Sequence, residues 1–293
     1  PAVRKWVLIG DHKQLPAVVQ QREEDSRVND QLLQSIGLTD CRLSLFERLL
    51  RRYSDRPDCV YMLTRQGRMH HDIALYPSRA FYDGRLQEVP LPHQTETLNA
   101  DIPCSNGIEK LIATRRTAFV DVESPEHSPS DKVNRCEAEA ITATIVSIYR
   151  KEKEHFSPLT TVGVIVPYRN QIAEIRKHLE LTGIETLRNI TIDTVERYQG
   201  SQRDYILYGF TVQRYYQLDF LTANVFEEQG HLIDRKLNVA MTRARCHLLI
   251  FGNAKLLCQT PVFSTLIKYM RTEETYISIP VADYVKGNFS LPV

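Results

Sequence analysis

One stretch of the sequence places several arginines beside an apolar helix face. Residues 235–245 read RKLNVAMTRAR, and the apolar run CHLLIFG follows at 246–252. Leu237, Met241 and Ala244 recur at helical spacing, which predicts a short helix that leads into a buried strand. A guanidinium is planar and always charged, and it matches the oxygens of a phosphoryl group. The stretch could therefore present an arginine to an anion outside its own domain, although a surface helix with solvated arginines has the same pattern.

Three further stretches combine glycine with polar side chains that could contact phosphates. They read GDHKQLP at 10–16, QGRMH at 66–70 and DTVERYQG at 193–200. The first follows a predicted strand at 3–9, so Asp11 and Gln14 should lie at the carboxyl edge of a parallel sheet, where α/β folds bind ligands. Taken alone, a turn closed by Asp11 would explain it equally well.

Together and in this order, the four stretches resemble motifs of the superfamily 1 helicases, in the branch typified by the RNA helicase of nonsense-mediated decay. The similarity runs from residue 3 to about residue 270. It implies a P-loop ATPase (hydrolase) of the AAA domain class with two RecA-like lobes. Such an enzyme moves along single-stranded nucleic acid, and the branch implies movement from 5′ to 3′.

The resemblance assigns nucleotide contacts to six residues. Gln14 would hydrogen-bond the terminal phosphate or the attacking water, and Asp11 would hold that loop. Arg68 would contact the γ-phosphate, and Arg243 matches the arginine finger, which stabilises charge on the transferring phosphoryl group. Gly200 would offer a backbone contact to the γ-phosphate, and Gln202 stands where relatives place a glutamate near the nucleotide.

The same resemblance assigns contacts to the nucleic-acid strand. Thr194 and the adjacent Val195 would touch the phosphodiester backbone, which gives affinity without sequence choice. Arg169 and Gln171 follow a predicted strand at 161–166 and match a further strand-contacting position. Surface residues at a helix start would fit those two positions equally well.

Two departures from the family pattern concern the nucleotide. Many relatives carry a tyrosine where this chain has Gly67, and the loss removes a plane on which the base would stack. No GxxxxGK[S/T] stretch and no paired Asp-Glu after a strand occur in the sequence. We therefore expect the cofactors ATP and Mg²⁺ to depend on an upstream part of a longer protein. This chain holds no metal ligands of its own by this interpretation, and alone it should be inactive.

Near-continuous apolar strands alternate with helices, which predicts an α/β fold with a mostly parallel sheet covered by helices on both faces. The predicted domains are a carboxyl-terminal remnant of the first RecA-like lobe at 1–63, the second lobe at 64–275 and a tail at 276–293. Predicted strands lie at 3–9, 59–63, 117–122, 161–166, 190–194, 204–211 and 247–251, and predicted helices at 43–53, 68–82, 132–153, 168–181, 233–243 and 262–271. Residues 88–110, 124–130 and 213–232 are predicted to be irregular, the last of them a mobile loop.

Bulk properties limit the partners. The chain has 293 residues with 37 Lys and Arg against 36 Asp and Glu, so its net charge of +1 does not itself indicate nucleic acid. It contains no apolar run long enough for a membrane helix and no signal peptide. Its six dispersed cysteines predict buried free thiols. We expect a cytoplasmic protein, or a nuclear one in a eukaryote.

Three functions remain open on the sequence. The favoured one is an ATP-dependent helicase part that acts on DNA rather than RNA, as in DNA repair. The second is a nucleic-acid-binding or protein-docking module of a helicase whose motor has lapsed, for which Gly67 and Gln202 give some support. The third is an NTPase that remodels protein complexes without unwinding.

Overall fold

The computed structural model describes residues 4–17, 19–123, 130–278 and 280–285. The chain forms two compact units, Pro1–Thr64 and Arg65–Val293. Most of the predicted irregular stretch at 124–130 and most of the end of the predicted tail lie outside the described residues.

Over its described residues, the first unit consists of short helices joined by irregular segments. It contains α1 (Glu23–Ser26), α2 (Gln31–Ser35) and α3 (Leu45–Tyr53). Helix α3 begins at an N-cap, because Ser44 Oγ accepts a hydrogen bond from the Glu47 amide at 3.1 Å and donates to the Glu47 carboxylate at 3.3 Å.

The strands predicted at 3–9 and 59–63 do not form in the described residues of this unit. Ile9 is 86% exposed and Tyr61 is 83% exposed, so neither stretch lies in a core. The unit contains no strand, within its described part, with which either stretch could pair. A lone apolar stretch cannot satisfy its backbone groups as a strand, which explains why this prediction was wrong.

The second unit is built on a parallel sheet. Its strands are β1 (Arg65–Gln66), β2 (Gln87–Glu88), β3 (Thr117–Asp121), β4 (Val162–Ile165), β5 (Thr191–Asp193), β6 (Arg203–Gly209), β7 (Val225–Glu228), β8 (His231–Asp234), β9 (Ala244–Gly252) and β10 (Tyr276–Ser278). Over the described residues, six strands form the main sheet in the order β10-β3-β9-β6-β4-β5, and every pair in it is parallel. The predicted α/β fold with a parallel sheet is confirmed.

Helices cover both faces of this sheet. They are α4 (His71–Phe81), α5 (Pro92–Thr95), α6 (Gly107–Thr114), α7 (Arg135–Lys151), α8 (Arg169–Leu181), α9 (Val195–Tyr198), α10 (Gln217–Thr222), α11 (Arg235–Met241), α12 (Ala254–Leu257), α13 (Pro261–Thr272) and α14 (Val281–Val285), with a 3₁₀ helix at Glu185–Asn189. Helix α7 packs against α6, α8 and α14, whereas α4, α11 and α13 contact strands β9, β6 and β3. Alternate residues of each strand serve the two layers: Leu249 and Phe251 join the core under α7, while Leu248 and Ile250 point the other way.

Two of the predicted irregular regions, and the predicted tail, contain regular structure. Residues 213–232 hold α10 and most of a hairpin formed by the antiparallel strands β7 and β8, and 88–110 holds α5 and the start of α6. The predicted tail at 276–293 begins with β10, which pairs with β3. Periodicity does not detect such short elements, since Leu218 and Leu221 are the only apolar residues buried within α10.

The described part of the chain has no helix long and apolar enough to cross a membrane. Its cysteines are free, as predicted, but Cys41, Cys59 and Cys104 are exposed and the others are only partly buried. The prediction of buried thiols was therefore wrong for these three.

Candidate functional site

Arg68 is the point at which three of the sequence motifs meet. Its Nε donates a hydrogen bond to Gln202 Oε1 at 3.0 Å, and its Nη1 donates to the backbone oxygen of Thr242 at 2.9 Å. A backbone hydrogen bond of 2.8 Å from the His70 amide to Arg245 O joins the same two segments again. The residues at 66–70, 199–203 and 238–245 thus form one cluster, although they are far apart in the chain.

The backbone around Arg68 is fixed by buried amides. Gln66 Oε1 accepts hydrogen bonds from the amides of Arg68 and Met69 at 3.0 and 2.8 Å. His93 Nε2 lies 3.0 Å from Arg68 O, and the fully buried Gln94 donates to the backbone oxygens of Gln66 and Met69. The guanidinium is therefore held on a rigid turn.

The electrostatic setting of Arg68 favours an anion. Both hydrogen-bond acceptors of its guanidinium are neutral, and the described residues give its Nη2 no hydrogen bond. Burial lowers the pKa of the Arg68 guanidinium, because a half-buried cation has lost part of its hydration. A charge that is partly desolvated and not neutralised attracts a phosphate more strongly than a fully solvated one.

Gly200 and Gln202 form the turn that leads into β6. Gly200 has a φ of +85°, which is in the left-handed region that L side chains rarely adopt. Added bulk at this position would meet no neighbouring atom within 4 Å. The glycine is thus required by backbone conformation, and the space beside it is open to a ligand.

Arg243 lies at the start of β9 and is only 2% exposed. Its Nε donates to Val239 O at 3.0 Å, and its Nη2 donates to Thr242 Oγ1 at 3.2 Å. The side chain folds back on the helix that precedes it. A contact between Arg243 and a phosphate requires a different rotamer from the one seen here.

Arg245 is paired locally. Its Nη1 contacts Asp204 Oδ1 at 2.7 Å. Burial raises the pKa of the Asp204 carboxyl, and the Arg245 charge opposes that change. This ion pair ties β9 to β6 next to Gln202.

In the first unit, Asp11 and Gln14 belong to one turn. Gln14 Nε2 donates to Asp11 Oδ2 at 2.9 Å, and the Lys13 amide donates to Asp11 Oδ1 at 3.0 Å. Asp11 thus holds both the turn and the Gln14 side chain.

Gly67 occupies the position at which the resemblance implies a tyrosine. A Cβ at this position would lie 3.4 Å from Leu91 Cδ1, which is ordinary contact distance. The position is exposed. A side chain there would have room, so packing does not impose the glycine.

Two of the predicted strand contacts lie at the carboxyl ends of neighbouring strands. Ile165 and Asp193 are register partners in β4 and β5, and Arg169 and Thr194 follow them. Arg169 is exposed and has no ion pair or hydrogen bond to any residue that the structure describes. The Thr194 hydroxyl makes no cap hydrogen bond to α9. Both side chains are available to a phosphodiester backbone.

Gln171 and Val195 differ from these two. Gln171 is 0% exposed, and its amide accepts from Asn134 N at 2.8 Å and donates to Asn134 O at 3.0 Å. This geometry gives Gln171 a structural role, since it clamps the start of α7. The Val195 side chain lies in the core, so only its backbone could face a ligand.

Sequence reasoning missed other residues in this region. The acceptor role of Thr242 depends on its backbone oxygen, which no motif encodes. The sequence analysis also missed a set of aromatic side chains in and directly before α10, because 213–232 was predicted to be a loop. The run of Tyr215, Tyr216 and Phe220 in that stretch was the available signal.

Comparison with known proteins identifies the family of the chain. The family described as "AAA domain" matches residues 41–255. The regulator of nonsense transcripts 1 of Dictyostelium discoideum is 30% identical over 96% of this chain and 19% of its own length. An ATP-dependent helicase of Methanocaldococcus jannaschii is 27% identical over 92% of this chain and 35% of its own length.

A third relative is the DNA replication ATP-dependent helicase/nuclease of Mus musculus, which is 27% identical over 96% of this chain and 25% of its own length. The chain thus spans about a fifth to a third of the length of these three relatives. The sheet order, the four motifs and these similarities agree. The chain belongs to the AAA domain family, in the nonsense-mediated-decay branch of the superfamily 1 helicases, and its second unit has the RecA-like fold.

Proposed function

We propose that this chain is the carboxyl-terminal part of an ATP-dependent helicase that moves along single-stranded nucleic acid. In this proposal the second unit contributes Arg68, Gln202 and Gly200 to the nucleotide site and Arg169 and Thr194 to the strand. Arg243 acts as the arginine finger after a rotamer change, and Asp11 and Gln14 sense the terminal phosphate. Movement from 5′ to 3′ is part of the proposal, on the resemblance alone.

The observation that carries the proposal is the convergence on Arg68. Gln202 and the Thr242 backbone both hold this guanidinium, and neither neutralises its charge. An arginine that only stabilised the fold would gain most from a carboxylate partner, as Arg245 has in Asp204. Arg68 is instead presented as a fixed cation with donor capacity left over.

ATP supplies the phosphoryl group and the anion that such a site requires. The residues present fit the phosphates: Arg68 offers a partly desolvated positive charge, and the Gly200 turn has open space beside its backbone. Arg68 would orient the terminal phosphate, and Gln202 would keep the guanidinium plane fixed while it does so. This is stabilisation by preorganised charge rather than covalent chemistry.

Mg²⁺ is a different case. The described residues include no group of three or more His, Cys, Asp or Glu side chains that could hold a metal ion. The described residues therefore do not provide a ligand set for Mg²⁺. Its ligands, like the phosphate-binding loop, belong in our proposal to an upstream part of a longer protein.

The second candidate is a binding module in a protein whose motor has lapsed. The buried position of Arg243 favours it, because Nε and Nη2 of that guanidinium donate to Val239 O and Thr242 Oγ1 in its own segment. In that case the chain would grip nucleic acid without hydrolysis. The two candidates differ in whether Arg243 affects turnover.

The deciding experiment measures ATP hydrolysis by the longer protein that contains this chain, alone, with single-stranded DNA and with single-stranded RNA. The helicase proposal expects strong stimulation by at least one polymer and a loss of roughly 10³-fold or more in Arg243→Ala. The polymer that stimulates also decides our prediction of DNA over RNA. If the folded protein shows no nucleic-acid-dependent turnover, the helicase proposal fails and the binding module is the better explanation.

A further inference from the structure

Three exposed aromatic side chains lie in α10 or directly before its first residue, Gln217. Tyr215, Tyr216 and Phe220 are 64%, 55% and 46% exposed. Among the residues that the structure describes in the second unit, these are the aromatic side chains that rank as large exposed hydrophobics. We call these three residues the α10 aromatic surface. Exposed apolar side chains that cluster in this way mark interaction sites more often than scattered ones do.

The fold does not need these rings to hold α10 in place. Leu218 and Leu221 are buried on its inner side. Gln217 is also buried, where its Oε1 accepts from the amides of Gln213 and Arg214 at 2.8 Å and its Nε2 donates to Thr211 O at 3.1 Å. The inner side therefore anchors the helix.

Two of these rings, those of Phe220 and Tyr216, are restrained by their neighbours. Phe220 stacks on Tyr168 with ring centroids 5.3 Å apart and planes 23° apart, and Lys236 Nζ lies 4.3 Å from the Phe220 centroid. The Tyr216 hydroxyl donates to the Asp131 carboxylate. Restrained rings lose less entropy when a ligand covers them, which favours binding.

The position of this surface identifies the ligand class. In the sheet, β4 lies between β6 and β5. Helix α10 follows β6, Arg169 follows β4 and Thr194 follows β5, so all three lie toward the carboxyl edge of neighbouring parallel strands. Aromatic rings next to groups that suit phosphates are the arrangement by which proteins bind single strands.

The charges around the surface argue for contact with bases. Asp131 is paired with Arg214 at 2.8 Å and Glu196 with Lys236 at 3.6 Å, which neutralises two nearby carboxylates. Asp219 lies beside Phe220 in α10 and adds a negative charge. The surface itself would gain little from phosphates, so its affinity must come from stacking.

We propose that Tyr215 and Tyr216, the rings of the α10 aromatic surface other than Phe220, stack the bases of the single strand whose backbone Arg169 and Thr194 contact. This inference rests on the proposed function, because it assumes that the second unit grips nucleic acid. It adds a contact that depends on bases to contacts that depend only on phosphates. Every base has a π face, so the contact tolerates any sequence.

The test compares two ligands with equal numbers of phosphates: a single-stranded oligodeoxyadenylate and an abasic strand of the same length, each repeated with the matching RNA where it can be made. Binding of the 293-residue chain is followed by fluorescence anisotropy. The variants are Tyr215→Ala with Tyr216→Ala, the conservative Tyr215→Phe with Tyr216→Phe, and Arg169→Ala. Leu181→Ala is the control for an exposed apolar residue at the far end of α8.

The alanine pair should lose about 5- to 100-fold in affinity for the base-bearing strand, as expected for one stacked base, and keep its affinity for the abasic strand within twofold. The conservative pair and Leu181→Ala should bind both strands like the unaltered chain. Arg169→Ala should weaken both strands by the same factor. A thermal melt like that of the unaltered chain shows that each variant is folded.

Two results would overturn the inference. One of them leaves the proposed function standing, and the other contradicts it as well. If the unaltered chain binds both strands and the alanine pair loses nothing, or loses equally on both, stacking is absent and the backbone grip stands. The aromatic surface would then be left for a protein partner. If the unaltered chain binds neither strand, the inference and the proposed strand contact both fail.

Discussion

Arg68 Nε lies 3.0 Å from Gln202 Oε1, although 134 residues separate the two in the chain. Because Gln202 is neutral, this hydrogen bond fixes the guanidinium without cancelling its charge. The relatives implied by the sequence resemblance carry a glutamate at that position. A neutral glutamine at this position therefore does not cancel the Arg68 charge.

The Gly200 turn gives a prediction about stability. Gly200→Ala should destabilise the second unit by roughly 1 kcal/mol, because its φ of +85° is costly for a residue with a Cβ. No atom lies within 4 Å of the added methyl, so a steric clash contributes nothing. Urea unfolding measures the change.

Gly107→Ala is the matched control. Gly107 also has open space around it, but it begins α6 and does not have a positive φ. We expect that variant to be neutral or slightly more stable. Equal losses in both variants would show that the conformation of Gly200 is not the reason for its glycine.

Gln171 gives a prediction that separates a structural residue from a ligand contact. Gln171→Ala removes two hydrogen bonds to the Asn134 backbone and leaves those buried groups without that partner. The cost should be about 2 to 4 kcal/mol by urea unfolding. The neighbouring exposed Asn170→Ala should cost less than about 0.5 kcal/mol. A fully stable Gln171→Ala that binds nucleic acid poorly would restore the original prediction of a strand contact.

Glu137 predicts a pH dependence. It is fully buried, accepts hydrogen bonds from the Thr211 amide and hydroxyl, and burial raises its pKa from 4.5 to about 8. The folded state thus keeps a proton that the unfolded state loses. This stabilisation is complete below pH 4.5 and is lost as the pH rises through about 8.

Between pH 6.5 and 8.5 the unaltered chain should therefore lose about 2 kcal/mol of unfolding free energy through this group. Glu137→Gln should show no such loss, since the amide does not titrate. Asp234, whose pKa is raised by burial to about 6, changes mainly below this range. Parallel urea midpoints for both proteins across these pH values would exclude Glu137 as the titrating group.

The sequence predicted those elements that carry a long period or a complete motif. The parallel sheet and helices such as α7 and α8 follow from near-continuous apolar strands and helical spacing. The predicted strands at 3–9 and 59–63 were wrong because a strand depends on a partner, which a local pattern does not contain. Helix α10 was missed because two buried leucines give too short a period to detect.

The sequence motifs named candidate site residues, but they did not predict the hydrogen bonds between them. Arg68, Gln202 and Arg169 lie at accessible positions that suit the chemistry expected of them. The burial of Gln171 and Arg243 depends on neighbours from other segments and could not be predicted locally. The meeting of Arg68 with the Thr242 backbone likewise depends on the tertiary fold.

The most direct test of the central claim is ATP hydrolysis by the longer protein that contains this chain, with saturating single-stranded nucleic acid, for Arg68→Ala and Arg65→Ala side by side. Arg65 is an exposed arginine three residues away and is the matched control. We expect Arg68→Ala to lower the rate of ATP hydrolysis by roughly 10²-fold or more, because a preorganised donor to the phosphoryl group is lost. The rate of Arg65→Ala should stay within twofold of that of the unaltered protein. Full activity in a folded Arg68→Ala protein would contradict the account.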